Sequence, residues 1–226
     1  MNKIEKDKIR FNELIIFDKS FEVNILCGID EAGRGAWAGP IVAACVILPP
    51  NFDLYEINDS KKIKEENRYI LAERIKEKAL AYGIGIVDAC KIDEIGIQKA
   101  NFLAFELAYN NMINNYKIIP NLILIDGNFK GISLPNYKSI TKGDSLSASI
   151  SSASLIAKAE RDKIMIEEFH SQYPQYCFDK HKGYGTKIHQ EAILKYGLLN
   201  IHRRSFCKKF LIKNGLERSD IIATKS

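Results

Sequence analysis

Two adjacent carboxylates, Asp30 and Glu31, stand where the apolar run Ile25-Leu26-Cys27-Gly28-Ile29 gives way to Ala32-Gly33-Arg34-Gly35. A hydrophobic run followed at once by acids reads as a strand whose end carries negative charge to a solvent-facing edge. Gly33 and Gly35 let the backbone turn sharply and leave amide N–H groups open to an anion. Arg34 between them adds a planar cation suited to phosphate. Carboxylates for a metal beside amides for a phosphate make up the chemistry of a phosphodiester site.

Asp126 and Asp144 extend the acidic set. Asp126 ends the buried run Leu122-Ile123-Leu124-Ile125 and precedes Gly127-Asn128, while Asp144 follows Lys142-Gly143. Hard oxygen ligands of this kind suit Mg²⁺ or Mn²⁺. Two such ions about 4 Å apart would clamp the attacking water and the leaving oxygen of an in-line displacement. A lone Asp-Gly is more often a turn, and a lone Asp at a helix start is more often a cap. Four carboxylates in these contexts, beside a Gly-Arg-Gly loop, favour the metal reading. Asp162 is excluded. On one straight helix it faces the same way as Asp144 but lies roughly 27 Å along the axis, so it is expected to be structural, paired locally with Arg161 or Lys158.

Basic and aromatic strings supply candidate substrate contacts. Lys61 and Lys62 follow Asn58-Asp59-Ser60 before a helical segment; lysine runs are usually a solvated face, so this signal is weak. In His181-Lys182-Gly183-Tyr184-Gly185-Thr186 the glycines flank an aromatic and would expose its ring for stacking on a sugar or base. The ordinary alternative is a tyrosine packed over a turn. His202-Arg203-Arg204-Ser205-Phe206 is either a basic contact or a salt-bridged brace. The histidines show no paired spacing with each other or with cysteine, so zinc is not expected.

The elements that must position these residues follow from periodicity and punctuation. Val23–Ile29 and Ile41–Leu48 read as strands, joined by the glycine turn into an antiparallel pair and stopped by Pro49-Pro50. Lys64–Leu80 and Ile97–Asn115 read as helices, Tyr82–Val87 and Leu122–Ile125 as strands. Lys142-Gly143-Asp144 opens a long helix to about Phe169, with Ser147, Ser151, Ser154 and Lys158 on one face where something can approach closely. A last helix spans Lys187–Tyr196 and ends at Gly197. Residues 1–20 are a polar lead-in with a short amphipathic piece. This order predicts an α/β fold with a mixed sheet.

At 226 residues and 46% hydrophobic content the chain can bury a sizeable core. Its net charge of +5, from 33 Lys and Arg against 28 Asp and Glu, fits a nucleic-acid partner without demonstrating one. The five cysteines are scattered and read as buried small hydrophobes, Cys27 and Cys45 above all, which implies a reducing compartment. No signal peptide and no membrane span are expected, and the protein is expected in the cytoplasm.

Taken in order, these strings resemble the ribonuclease HII (type 2 ribonuclease H) family. The resemblance rests on residues 28–35, Asp59-Ser60-Lys61-Lys62, Ile125-Asp126-Gly127-Asn128, Lys142-Gly143-Asp144 with the Ser/Ala helix and Ala157-Lys158, residues 181–186 and residues 202–206. One departure is Ala36-Trp37, where the family more often has proline and a smaller residue. The resemblance implies a ribonuclease H-like mixed sheet flanked by helices over 23–172, a polar lead-in over 1–22, and a C-terminal helical extension over 173–226 with the tyrosine loop and a basic tail.

It also implies cleavage of RNA paired to DNA and incision at single ribonucleotides embedded in DNA, leaving a 3′-hydroxyl and a 5′-phosphate. Asp30, Glu31, Asp126 and Asp144 would hold Mn²⁺ or Mg²⁺, with Asp144 most tied to the nucleophilic water. Gly33, Arg34 and Gly35 would read the 2′-hydroxyl, Lys61 and Lys62 would meet phosphates, and Tyr184 would stack at the RNA–DNA junction. A monomer is expected; a sliding-clamp partner is not readable from the sequence. The sister ribonuclease HIII carries an added N-terminal domain, and only about twenty residues precede the first strand here. A non-catalytic nucleic-acid-binding module would not need the complete carboxylate set.

Overall fold

The computed structural model describes residues 2–58 and 65–215. Lys61 and Lys62 lie outside the described residues. The chain forms two compact units, one from residues 1–32, 42–86 and 102–159, the other from residues 33–41, 87–101 and 160–226.

The first unit is built on a five-stranded sheet. In chain order the strands are β1 (Leu26–Ala32), β2 (Ile41–Ile47), β3 (Ala81–Val87), β4 (Leu122–Asp126) and β5 (Tyr137–Ile140), arranged β3-β2-β1-β4-β5. β1 runs antiparallel to β2 and parallel to β4, and β4 parallel to β5, so the sheet is mixed as the sequence predicted. The first strand does not stop short of its acids. Asp30 pairs with Ala44 and Glu31 with Ala43 before the strand ends at Ala32.

Side-chain alternation assigns the two faces. Ala32, Ala44 and Val46 face a core formed with Phe11 and Leu14 of α1 (Lys3–Lys19), Ala72 and Ile75 of α2 (Glu65–Lys78), and Ala153, Leu155 and Ile156 of α5 (Ala148–Lys163). On the other face Cys45 meets Met112 of α4 (Ile97–Tyr116). There a Cβ at Gly83 or Gly85 would fall 2.2 or 2.1 Å from the carbonyls of Ala108 and Ala104. Those glycines let helix and strand touch backbone to backbone.

The N-terminal segment forms more than a short piece. Asn2 caps α1, a 17-residue helix, in a reciprocal capping box with Glu5. β5 was not predicted, and the helix proposed from Lys142 is interrupted. Gly143–Ser145 is a single 3₁₀ turn, α5 begins at Ala148, and π-helical turns replace it over Ile164–His170. Asp144 therefore sits on a turn ahead of the helix.

The second unit has its own core, in which Met165, Tyr176, Phe178, Ile193, Leu198, Cys207 and Leu211 are buried. It contains α3 (Ala89–Ile95), α6 (Phe178–His181), α7 (Lys187–Tyr196) and α8 (Arg204–Lys213). α7 has the predicted bounds and ends on Gly197 at φ 80°. Asp93 of α3 accepts from the main-chain N–H groups of Arg204 and Ser205, capping α8.

Candidate active site

The sheet register explains how two distant acids meet. β1 and β4 pair through Ile29 and Ile125. One residue further on, Asp30 and Asp126 are neighbours on the same face, because paired residues of parallel strands point the same way. That face is the α5 side, reached through a contact only glycine allows: a Cβ on Gly28 would lie 2.2 Å from the Ser149 carbonyl carbon.

Asp30 is buried, 6% exposed. Its carboxyl is pushed well above the usual carboxylate range, first by burial and then by the negative charges of Glu31 and Asp126. A hydrogen bond from Ser154 and the charge of Lys158 offset part of that rise. Lys158 Nζ donates to Ser154 Oγ at 2.8 Å, so the small-residue face of α5 is turned toward the acids. The Glu31 N–H also donates to Asp30 Oδ1 at 2.7 Å.

Asp126 Oδ1 accepts from the Gly143 N–H at 2.6 Å, which fixes the turn carrying Asp144. A side chain at Gly143 would press on Ile150 Cδ1 at 2.6 Å, which would have to shift to make room. Helix α1 holds the same turn from outside. Arg10 donates to the Ser145 carbonyl, and Asp18 Oδ2 accepts from the Ser149 N–H and Oγ–H, both at 2.9 Å. Burial raises the Asp18 carboxyl. Sequence reasoning missed α1 as a brace; Asn2-x-x-Glu5 was the available signal.

Among the described residues no three His, Cys, Asp or Glu side chains form a ready cation cage. The donor set nevertheless suits a hard divalent ion. The charges of Glu31 and Asp126 both act on Asp30 here, and Mg²⁺ is typically bound through one or two carboxylates with waters and substrate phosphate completing its shell.

In the second unit the loop after β1 is held by two buried arginines. Gly33, at φ 88°, is so close to Arg161 that a Cβ would sit 1.9 Å from Nε. Arg161 donates to the carbonyls of Pro40 at 2.9 Å and Ala38 at 3.1 Å. Arg203 donates twice to Gly39, at 3.0 and 2.9 Å, and once to Arg34, at 3.1 Å. Burial, then the neighbouring Arg161 cation, pulls the Arg203 guanidinium down to about 9. Arg34 and Gly35 are exposed. Of the two readings of residues 202–206, Arg203 follows the brace, through carbonyls and not through the salt bridge expected of it. The charge of Asp162 acts on Arg161, as its local pairing implied.

Tyr184 belongs to the same assembly. Its ring is 43% exposed and lies 5.4 Å from the Arg161 guanidinium carbon. The flanking glycines also make contacts that the sequence did not show. Gly183, at φ 82°, accepts from the N–H groups of Trp37 and Ala38 at 2.8 and 3.1 Å, and at Gly185 a Cβ would strike the Trp37 ring at 2.4 Å. They admit Trp37 beside an exposed Tyr184. Trp37, the departure from the usual family pattern, packs on that loop. The partners of Arg161, Arg203 and the buried histidines behind Tyr184 were not found by sequence reasoning, because spacing does not show what a side chain bonds.

The ribonuclease HII family profile matches residues 27–209. A ribonuclease HII of Caldanaerobacter subterraneus is 48% identical over 215 residues, covering 92% of this chain and 86% of its own. Among solved structures, ribonuclease H2 of Pyrococcus horikoshii superposes with a TM-score of 0.67 at 23% identity, covering 84% of this chain and 98% of that one. The ribonuclease HII of Archaeoglobus fulgidus, solved as a complex with PCNA, gives 0.66 at 22% identity, covering 87% and 100%. At these identities the two structures bear on the fold.

Proposed function

The chain belongs to the ribonuclease HII family and is a ribonuclease H endonuclease, and we propose that it hydrolyses the RNA strand of RNA–DNA hybrids and incises DNA at single embedded ribonucleotides. The products would carry a 3′-hydroxyl and a 5′-phosphate. The observation that carries this reading is the β1–β4 register that sets Asp126 beside buried Asp30, with Glu31 next in the chain, a charge excess that a divalent cation relieves.

Asp30, Glu31, Asp126 and Asp144 would hold Mn²⁺ or Mg²⁺, supplying Lewis acidity toward the scissile phosphate and lowering the pKa of the attacking water. Asp144 would orient that water from its turn, which Asp126 fixes through the Gly143 amide. Lys158 and Ser154 offset part of the cost of ionising Asp30. The amides of Gly33 and Gly35, with Arg34, would grip the phosphate and the 2′-hydroxyl, Lys61 and Lys62 would add phosphate contacts, and Tyr184 would stack on the sugar at the RNA–DNA junction. Hydrolysis would belong to residues 23–172 and junction reading to the extension over 173–226.

No helix among the described residues is long and apolar enough to cross a membrane; we place the protein in the cytoplasm, acting as a monomer in removing ribonucleotides from DNA. The test is a duplex carrying one ribonucleotide, incubated with Mn²⁺ or Mg²⁺ and mapped at nucleotide resolution. One cut beside the ribonucleotide, leaving a 3′-hydroxyl, supports the proposal. Cleavage restricted to long hybrids would refute the single-ribonucleotide activity.

A further inference from the structure

Behind Tyr184 lies a cluster that neither the proposed chemistry nor a metal accounts for. His181, His189 and His202 are all buried. The rings of His181 and His189 stack 4.5 Å apart at 15°, and His189 Nε2 lies 3.0 Å from His202 Nε2. Two nitrogens at that distance need one proton between them, and the main chain decides whose it is.

His202 Nδ1 accepts from the Leu199 N–H at 2.8 Å. A neutral ring with an accepting Nδ1 carries its proton on Nε2, so His202 is the donor to His189. His189 Nε2 is then the acceptor, and its own proton must sit on Nδ1, which faces the Tyr184 carbonyl at 3.0 Å. His181 is fixed in the same way: Nδ1 accepts from the Gly183 N–H at 3.1 Å, so its Nε2–H donates to the Tyr176 carbonyl at 2.8 Å. One proton assignment satisfies every bond, and it runs in one direction, from the Leu199 amide through His202 and His189 to the carbonyl of Tyr184.

We infer that His202 and His189 are positioning residues for Tyr184, a polarised imidazole relay that fixes the main chain of the junction-reading tyrosine. This rests on the proposed role of Tyr184. The relay needs both rings neutral, and they are. Burial chiefly, together with the neighbouring imidazoles, brings His189 down to about 4 and His202 to about 3. The surroundings agree. Phe178 presents an edge to His189 at 5.5 Å, Trp37 lies 6.2 Å from that ring and Tyr176 lies 5.4 Å from His202. Arg204 acts on the His202 side, and Asp179 and Lys182 act on His181. Phe178 and Trp37 pack against His189, and all three imidazoles are buried.

The test has two arms. On the unmodified protein, ¹⁵N NMR of labelled imidazoles reads the tautomers directly, and Nδ1–H at His189 with Nε2–H at His202 and His181 is expected. Cleavage is then compared on a single-ribonucleotide duplex and a long hybrid for His189→Leu, His189→Asn and Tyr184→Ala. Asparagine keeps an N–H near the Nδ1 position and should preserve the ratio of the two rates within about twofold. Leucine should lower it about tenfold, the size of one lost hydrogen bond. A His189 protonated on Nε2, or equal loss in the Asn and Leu variants, overturns the relay. If Tyr184→Ala leaves the ratio unchanged although the tautomers are as assigned, the reading of Tyr184 itself fails and the relay is only a brace for the loop.

Discussion

Replacing Asp126 by asparagine removes one negative charge while leaving an oxygen that can still accept the Gly143 N–H, now held at 2.6 Å. Activity should vanish, but the sharper expectation concerns stability without metal. The Asp126 charge opposes ionisation of buried Asp30. Two ionised carboxylates at the interstrand spacing of about 5 Å and an effective dielectric of about 20 repel by at most roughly 3 kcal/mol. Asp126 is only half buried, so solvent screening trims this to about 2 kcal/mol. Exchanging a charge-assisted hydrogen bond for a neutral one returns about 1 kcal/mol. The variant should therefore gain about 1 kcal/mol in EDTA, which for a chain of 226 residues raises Tm by about 2–4 °C. With Mn²⁺ at about 100 times its Kd the parent gains about 2.7 kcal/mol, and the variant, binding the ion more weakly, gains less. The order of the two melting curves should thus reverse between EDTA and Mn²⁺. A variant that melts below the parent in EDTA, or an equal Mn²⁺ gain in both, would refute the reasoning.

Gly28→Ala should lower Tm by several degrees and impair cleavage, because its Cβ meets backbone atoms of Ser149 and Ile150 at 2.2 and 2.4 Å and overpacking of this kind costs about 1–3 kcal/mol; an unchanged melting curve would show that β1 and α5 are not locked there. Arg34→Ala should weaken hybrid binding and reduce the slope of log affinity against log salt by about 0.9, one phosphate contact, whereas an unaltered slope assigns Arg34 to the turn. Tyr184→Ala should reduce single-ribonucleotide cleavage about tenfold and long-hybrid cleavage less; equal losses accompanied by a lower Tm would mean that the ring only packs its loop. His202 has a folded-state value of about 3 against 6.5 in the unfolded chain, so the unfolded state takes up the proton first and stability is lost as pH falls from 6.5 toward 3. At pH 5 the cost from His202 is about 2 kcal/mol, visible in denaturant titrations at pH 7 and pH 5 as a lower midpoint, and equal midpoints would place this ring in water.

Where one face of an element meets a core, the sequence pattern carried the structure. The apolar runs of β1, β2 and β4 and the Gly197 stop of α7 were legible because burial and punctuation act locally. β5 was not, since Tyr137-Lys138-Ser139-Ile140 is a short edge strand with an exposed Lys138 and no apolar run. Nor was the break before α5. Ser147 and the serines beyond it have acceptable helical propensity, and what ends the 3₁₀ turn is tertiary, with Arg10 on the Ser145 carbonyl and Asp18 on the Ser149 amide. The candidate acids were found because carboxylates beside apolar runs are conspicuous. The partners of the groups that orient their surroundings were missed because a buried arginine or histidine announces itself only by what it bonds.

Arg161 and Arg203 show why net charge was a poor guide to the candidate phosphate loop. Both are fully buried, at 1% and 0% exposure, and each donates to main-chain carbonyls of residues 34–40. Taking a guanidinium out of water is costly, and a carboxylate partner would offset the cost but also cancel the charge. Carbonyls satisfy the donors while leaving the positive charge in place, which is why burial lowers both guanidinium pKa values. Surface lysines far from a phosphate are screened within about 8 Å at physiological salt. A cation buried beneath the loop is screened far less and needs no reordering when an anion arrives. Lysine could not take either place, because its compact ammonium has no fixed fork to hold separate carbonyls at once. On the proposed reading the loop would gain its pull on an anion from two residues that never reach the surface, while exposed Arg34 and Gly35 would supply the contact.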